Sequence, residues 1–152
     1  WHIPGYQSLN MLLNDGAMGD AQTVKLNLGL ILGYVLAPIA WVIGIEWNDA
    51  VIAGGLIGQK VVLNEFIAYL QLSQTPVGDG PGAISENSRL ILTYALCGFA
   101  NFASIAIQIG GIGGLAPERR SDLARFGLRA VLGGSIATFM TATIAGVLSQ
   151  FA

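Results

Sequence analysis

The longest uncharged run in the chain, the 28 residues from Leu90 to Pro117, carries an internal pattern. Thr93, Cys97, Asn101, Ser104 and Gln108 recur at steps of four, four, three and four, which puts them on one face of a helix. A run this long and apolar predicts a membrane-spanning helix over 89–111, because about 20 residues cross a hydrocarbon core of roughly 30 Å. Lipid cannot hydrogen-bond to a polar stripe, so the stripe must face protein or a water-filled cavity. Recognition of a polar solute is therefore the first function it raises. Gly98-Phe99-Ala100-Asn101 weakens the helix, and an unwound turn there would free backbone groups for a ligand.

The same reading extends along the chain. Residues 1–23, with Gly5, Asp15, Gly16, Gly19 and Asp20, have no sustained period and read as a loop or short helix. The segment 24–45 includes the 20 uncharged residues Leu26 to Ile45, interrupted by Gly33 and Pro38. It is long enough to span, but it reads equally as a helix at the interface or within the bundle. Trp41 and Trp47 would suit the headgroup level.

Trp47, Asn48 and Asp49 offer helix-start chemistry ahead of Ala50 to Leu56. Gly54, Gly55 and Gly58 follow, and then a second apolar piece, Val61 to Leu72. Two pieces of about 10–14 residues are each too short to cross alone. Over 48–72 they predict a re-entrant helical hairpin with a glycine-weakened tip, or one kinked helix. Broken helices are where transporters place solute and ion contacts.

Pro76, Gly78, Gly80, Pro81 and Gly82 mark an aqueous loop, and Gly110, Gly111, Gly113 and Gly114 are expected to end the 89–111 helix. Residues 117–129 are the most charged segment and read as a loop. Residues 130–152 predict a last spanning helix, with Gly133, Gly134, Ser135, Thr138, Thr141, Thr143 and Gly146 for close packing.

Composition sharpens this into a membrane protein. Hydrophobic residues make up 53% of the chain and charged ones 11%, well under the quarter or so typical of soluble domains. Seven basic and nine acidic residues provide no basic surface for nucleic acid. One cysteine, Cys97, excludes an internal disulfide, and His2 is the sole histidine, so neither a metal cage nor a histidine-based triad is expected. The chain starts at Trp1 and shows no signal-peptide pattern, so it reads as the C-terminal portion of a longer membrane protein. Arg119, Arg120, Arg125 and Arg129 place 117–129 in the cytoplasm by their excess of positive charge, which puts the C-terminus outside.

Glu65 is the sharpest single residue. A carboxylate at membrane depth is costly unless paired or hydrated, so it points to function. Lys60 either snorkels to water or forms a structural ion pair with it. An ionised carboxylate only accepts hydrogen bonds, which suits a ligand offering hydroxyls. Asn101 and Ser104, one turn apart, could join Glu65 around a sugar-like solute, or serve as polar glue between helices. Phe99 could offer a ring face or simply pack.

Gly110-Gly111-Ile112-Gly113-Gly114 lacks the Lys-Ser or Lys-Thr and the preceding strand of a phosphate loop. No nucleophile–base pair is present, so an enzyme is not expected. A carrier, a polar-solute channel and a non-transporting structural fragment remain as readings.

Three motifs carry a family resemblance. Asn64-Glu65-Phe66-Ile67-Ala68-Tyr69, Ala95-Leu96-Cys97-Gly98-Phe99-Ala100-Asn101 with Ser104, and Leu115-Ala116-Pro117-Glu118-Arg119-Arg120 occur in order. Together they closely resemble the concentrative nucleoside transporter family, from about Trp47 to the C-terminus. The resemblance implies an all-α membrane protein, with 24–152 as the C-terminal transporter domain and second half of an inverted repeat. It further implies a homotrimeric symporter in lipid, expected in a bacterial inner membrane, that couples nucleoside uptake to Na+ or H+ and needs no other cofactor.

By the same resemblance, Glu65 lies in the second re-entrant hairpin and contacts ribose, with Asn64 beside it. Asn101 and Ser104 bind ribose hydroxyls from a broken helix, and Phe99 lies close to the nucleoside. The base-reading hairpin and the cation site are placed in the family's N-terminal half. For residues 26–45 the family favours a helix at the membrane surface.

Overall fold

The computed structural model describes residues 28–151. The segment 1–23 and the first residues of 24–45 lie outside the described residues. The described chain is built from α-helices: α1 (Leu28–Val42), α2 (Ala50–Val62), α3 (Glu65–Gln74), α4 (Glu86–Ala95), α5 (Phe102–Leu115) and α6 (Arg120–Ser149). A single 3-10 turn, Pro117–Arg119, precedes α6.

Helix α1 runs unbroken through Gly33 and Pro38 for 15 residues, about 22 Å at 1.5 Å per residue. The expected interruption is absent: Gly33 serves a contact surface and Pro38 is carried on the exposed side. Gly33, Ala37 and Ala40 line the buried face, while Pro38 is exposed. A Cβ on Gly54 of α2 would lie 2.9 Å from the Ala37 amide nitrogen, and one on Gly58 would meet Leu32 Cβ at 2.6 Å. Small residues bring the two backbones together. Trp41 and Trp47, both exposed, meet edge-on with ring centroids 6.3 Å apart.

The glycines of α2 are therefore no hairpin tip. The helix continues through Gly54, Gly55 and Gly58 and stops at Leu63, after which Asn64 is extended and starts α3. The Asn64 carboxamide oxygen accepts from the Ile67 amide at 3.0 Å, satisfying one of the donors a helix start leaves open. Asp49 precedes α2 but does not cap it with its side chain. Its Oδ2 instead accepts from the Ser85 amide at 2.9 Å, tying the start of α2 to the residue that caps α4.

The run expected as one helix is divided. α4 ends at Ala95 and α5 begins at Phe102, with Gly98 between them at φ 142°. Only glycine takes that backbone readily, and a Cβ there would sit 3.0 Å from Thr138 Cγ2. The polar stripe is divided too: Thr93 belongs to α4, Cys97 to the break, and Ser104 and Gln108 to α5.

Nor do the later glycines end α5, which carries on through Gly110, Gly111, Gly113 and Gly114 to Leu115. Pro117 ends it instead, since proline lacks an amide proton and disfavours helical backbone in the residue before it. Arg120 Nε donates to the Gly113 carbonyl at 3.1 Å, folding the next helix back onto this end.

Residues 120–129, expected as loop, are the first turns of α6. Asp122 in the first turn suits the positive end of the helix dipole and pairs with Arg119 at 3.0 Å. Pro117–Ser149 is long and apolar enough to cross a membrane. The buried core joins α2, α3, α4 and α6 through residues such as Leu56, Ile57, Leu72, Ile91, Leu92 and Ala142. Gly146 of α6 admits Ile91, whose Cγ1 would lie 2.7 Å from a Cβ there.

Candidate functional site

Two helix starts converge on this core's edge. Glu65 is the first residue of α3, and Asn101, extended at φ −143°, caps α5. A carboxylate at a helix N-terminus is favoured by the dipole. Asn101 is 1% exposed and works in two directions. Its Oδ1 accepts from the Ser104 amide at 2.8 Å and the Ser104 hydroxyl at 2.9 Å. Its Nδ2 donates to Glu65 Oε2 at 3.2 Å. The carboxylate, amide and hydroxyl singled out in the sequence are thus one hydrogen-bonded network.

Asn64 lies next to this network, with its carboxamide oxygen engaged in capping α3. Phe99 is 77% exposed in the break. It faces a cavity of about 460 Å³ between α5 and α6, which Ser104, Gln108, Arg119, Asp122 and Phe126 also line. Glu65 and Asn101 are not in that lining, so Ser104 is the member of the network that reaches the cavity.

Two features went unseen in the sequence. Tyr69 Oη donates to the Thr93 carbonyl at 2.6 Å, fastening α3 to α4 one turn after Glu65. More consequential is Lys60, which neither snorkels nor pairs with a carboxylate. It is fully buried, and its Nζ donates to the Ala95 carbonyl and to Thr138 Oγ1, each at 3.1 Å. The one ion pair among the described residues joins Arg119 to Asp122. The partners of Lys60 lie 35 and 78 positions away, so no local pattern could have disclosed them. Among the described residues no cluster of three or more His, Cys, Asp or Glu is placed to hold a metal.

The site lies where helices break and polar side chains meet, in a chain with one helix long and apolar enough to cross a membrane among its described residues. The chain belongs to the sodium-dependent nucleoside transporter family: the model of the Na+ dependent nucleoside transporter C-terminus matches residues 6–146. It is 52% identical over 132 residues to the uncharacterized transporter YutK of Bacillus subtilis, covering 87% of this chain and 31% of that protein. It is 51% identical to the nucleoside permease NupC of Helicobacter pylori, covering 80% of this chain and 29% of the permease. It is 41% identical to sodium/nucleoside cotransporter 1 of Rattus norvegicus, covering 86% of this chain and 22% of the cotransporter.

Among solved structures, CNTnw in an inward-facing substrate-bound state superimposes with a TM-score of 0.77 at 41% identity, covering 95% of this chain and 33% of that one. A variant of CNTnw in an outward-facing state gives 0.78 at 41% identity, covering 97% of this chain and 35% of that one. The chain spans under a third of the length of the curated relatives YutK and NupC.

Proposed function

We propose that this chain is the C-terminal part of a cation-coupled nucleoside symporter and supplies the ribose-binding side of its solute site. The observation that carries the reading is the Asn101 side chain, which holds Glu65 and Ser104 together at the starts of two broken helices. Glu65 offers acceptors only, Ser104 both donates and accepts, and the pair suits vicinal hydroxyls. Phe99, exposed beside Ser104, offers an aromatic face, and Asn64 retains its amide donors for the solute.

In this reading α2 and α3 form a re-entrant hairpin, Leu63–Asn64 is its tip, and the chain is one half of an inverted repeat. The short lengths of α2 and α3, 13 and 10 residues, support entry and return over passage through the membrane. The name of the rat relative, a sodium/nucleoside cotransporter, supports sodium as the coupling ion, with protons as the alternative. The working unit is a lipid-embedded homotrimer in a bacterial inner membrane, with the arginine-rich start of α6 cytoplasmic and the C-terminus outside.

The test is uptake of labelled uridine by the full-length protein in proteoliposomes. A carrier accumulates uridine above the external concentration under an inward sodium gradient, and an ionophore that collapses the gradient abolishes the accumulation. Uptake that only equilibrates, with or without the gradient, would establish a channel instead.

A further inference from the structure

Lys60 is the most deeply buried charge among the described residues, and the solute site leaves it unexplained. Its ammonium lies among three elements: α2, on which it is carried, the C-terminal end of α4, and α6. Ala95, whose carbonyl it binds, is the last residue of α4 before the break. Such an end carries partial negative charge, and its last carbonyls have no helical donors. Thr138 already donates its hydroxyl proton to the Ser135 carbonyl at 2.9 Å, so it turns lone pairs toward the ammonium. The Phe139 ring closes another side, with its centroid 5.6 Å from Nζ. A carbonyl, a hydroxyl oxygen and an aromatic face at the end of a broken helix form the kind of environment in which transporters hold alkali cations.

We propose that Lys60 is a tethered internal cation, a positioning residue whose ammonium fills the C-terminal end of α4. It locks α2 to the helix break and to α6, so that Glu65, five residues on, meets Asn101 in register. The charge is needed there, not only the volume of the side chain. A purely packing residue in this place would be aliphatic, because burying an ammonium with no carboxylate partner is costly. The cost is offset where the cation satisfies an otherwise orphaned helix end.

The inference rests on the transporter reading for its uptake readout, and a melting measurement tests it independently. The full-length transporter is made with Lys60→Met, which keeps the volume without the charge, and with Lys60→Ala. Folded Lys60→Met is expected to take up uridine at least tenfold more slowly than wild type. Wild-type uptake by that variant overturns the proposal. For Lys60→Ala, n-propylammonium, which replaces the missing atoms, is expected to raise the melting temperature and uptake saturably, whereas n-propanol of the same length does neither.

Should Lys60→Met fail to fold, the Lys60→Ala experiment decides alone. Recovery with the amine supports the proposal, while no recovery, or equal recovery with the alcohol, overturns it. Wild-type protein that takes up no uridine refutes the transporter reading and leaves the melting comparison to judge Lys60.

Discussion

Asn101 performs two roles with the two ends of one carboxamide. Its oxygen caps α5 and its nitrogen faces Glu65, an orientation the neighbours dictate, since the flipped amide would set oxygen against a carboxylate and nitrogen against an N–H. The roles can be separated by substitution. Serine caps a helix about as well as asparagine, whereas alanine costs about 1 kcal/mol. Asn101→Ser is therefore expected to melt near wild type and Asn101→Ala lower. Both lose the link to Glu65, and both are expected to bind uridine at least about tenfold more weakly, in line with a hydrogen bond to a charged group of roughly 1.5–3 kcal/mol. Parallel melting curves and binding isotherms check this. Wild-type affinity in Asn101→Ser would detach the asparagine from the solute site.

At the scale of elements, glycines decide where helices break and where they touch, and sequence does not distinguish the two uses. Gly98 is a break: its φ of 142° strains any side chain, and Thr138 Cγ2, 3.0 Å from a would-be Cβ, would have to give way. Gly98→Ala should destabilise the protein by about 1–3 kcal/mol. Gly114 is its control, helical and with nothing within 4 Å of its would-be Cβ. Gly114→Ala should be neutral or stabilising by up to about 1 kcal/mol. Thermal denaturation of the two variants is the comparison, and equal losses would contradict it.

Gly54 and Gly58 are contacts that local sequence presents as a tip, because the residues that need them, Ala37 and Leu32 of the preceding helix, lie 17 and 26 positions away. The 117–129 segment presents as loop for a related reason. Its arginines and Asp122 look like loop, yet they suit a helix start once Pro117 has ended α5 and Arg120 has found Gly113.

Across the whole molecule, what was legible came from composition and from runs. Uncharged stretches marked α1, α5 and α6, proline and glycine marked the connection between α3 and α4, and the rarity of a carboxylate in apolar surroundings drew attention to Glu65. That Glu65, Asn101 and Ser104 meet is seen in the structure; their binding of ribose is the proposal. The burial of Lys60 depends on Ala95 and Thr138, remote in sequence, and stayed hidden.

The described surface also shows what surrounds the chain. Leu115 is 89% exposed, Phe99 77% and Ile107 72%, and only 22% of the most apolar window of α6 is buried. Exposed apolar area on this scale requires lipid or further protein. The 152-residue chain expressed alone is expected in the membrane fraction and without uridine accumulation; robust uptake by it would show that the site is complete without further chain.

Uridine affinity of full-length protein carrying Glu65→Gln bears most directly on the solute site. Glutamine keeps the shape but replaces a charged acceptor with a weaker neutral one, and it can still face Asn101. The account predicts binding weakened roughly 10- to 100-fold, as expected for losing a charge-assisted hydrogen bond, with the melting temperature little changed. Affinity equal to wild type in a folded variant would contradict it and remove Glu65 from the site.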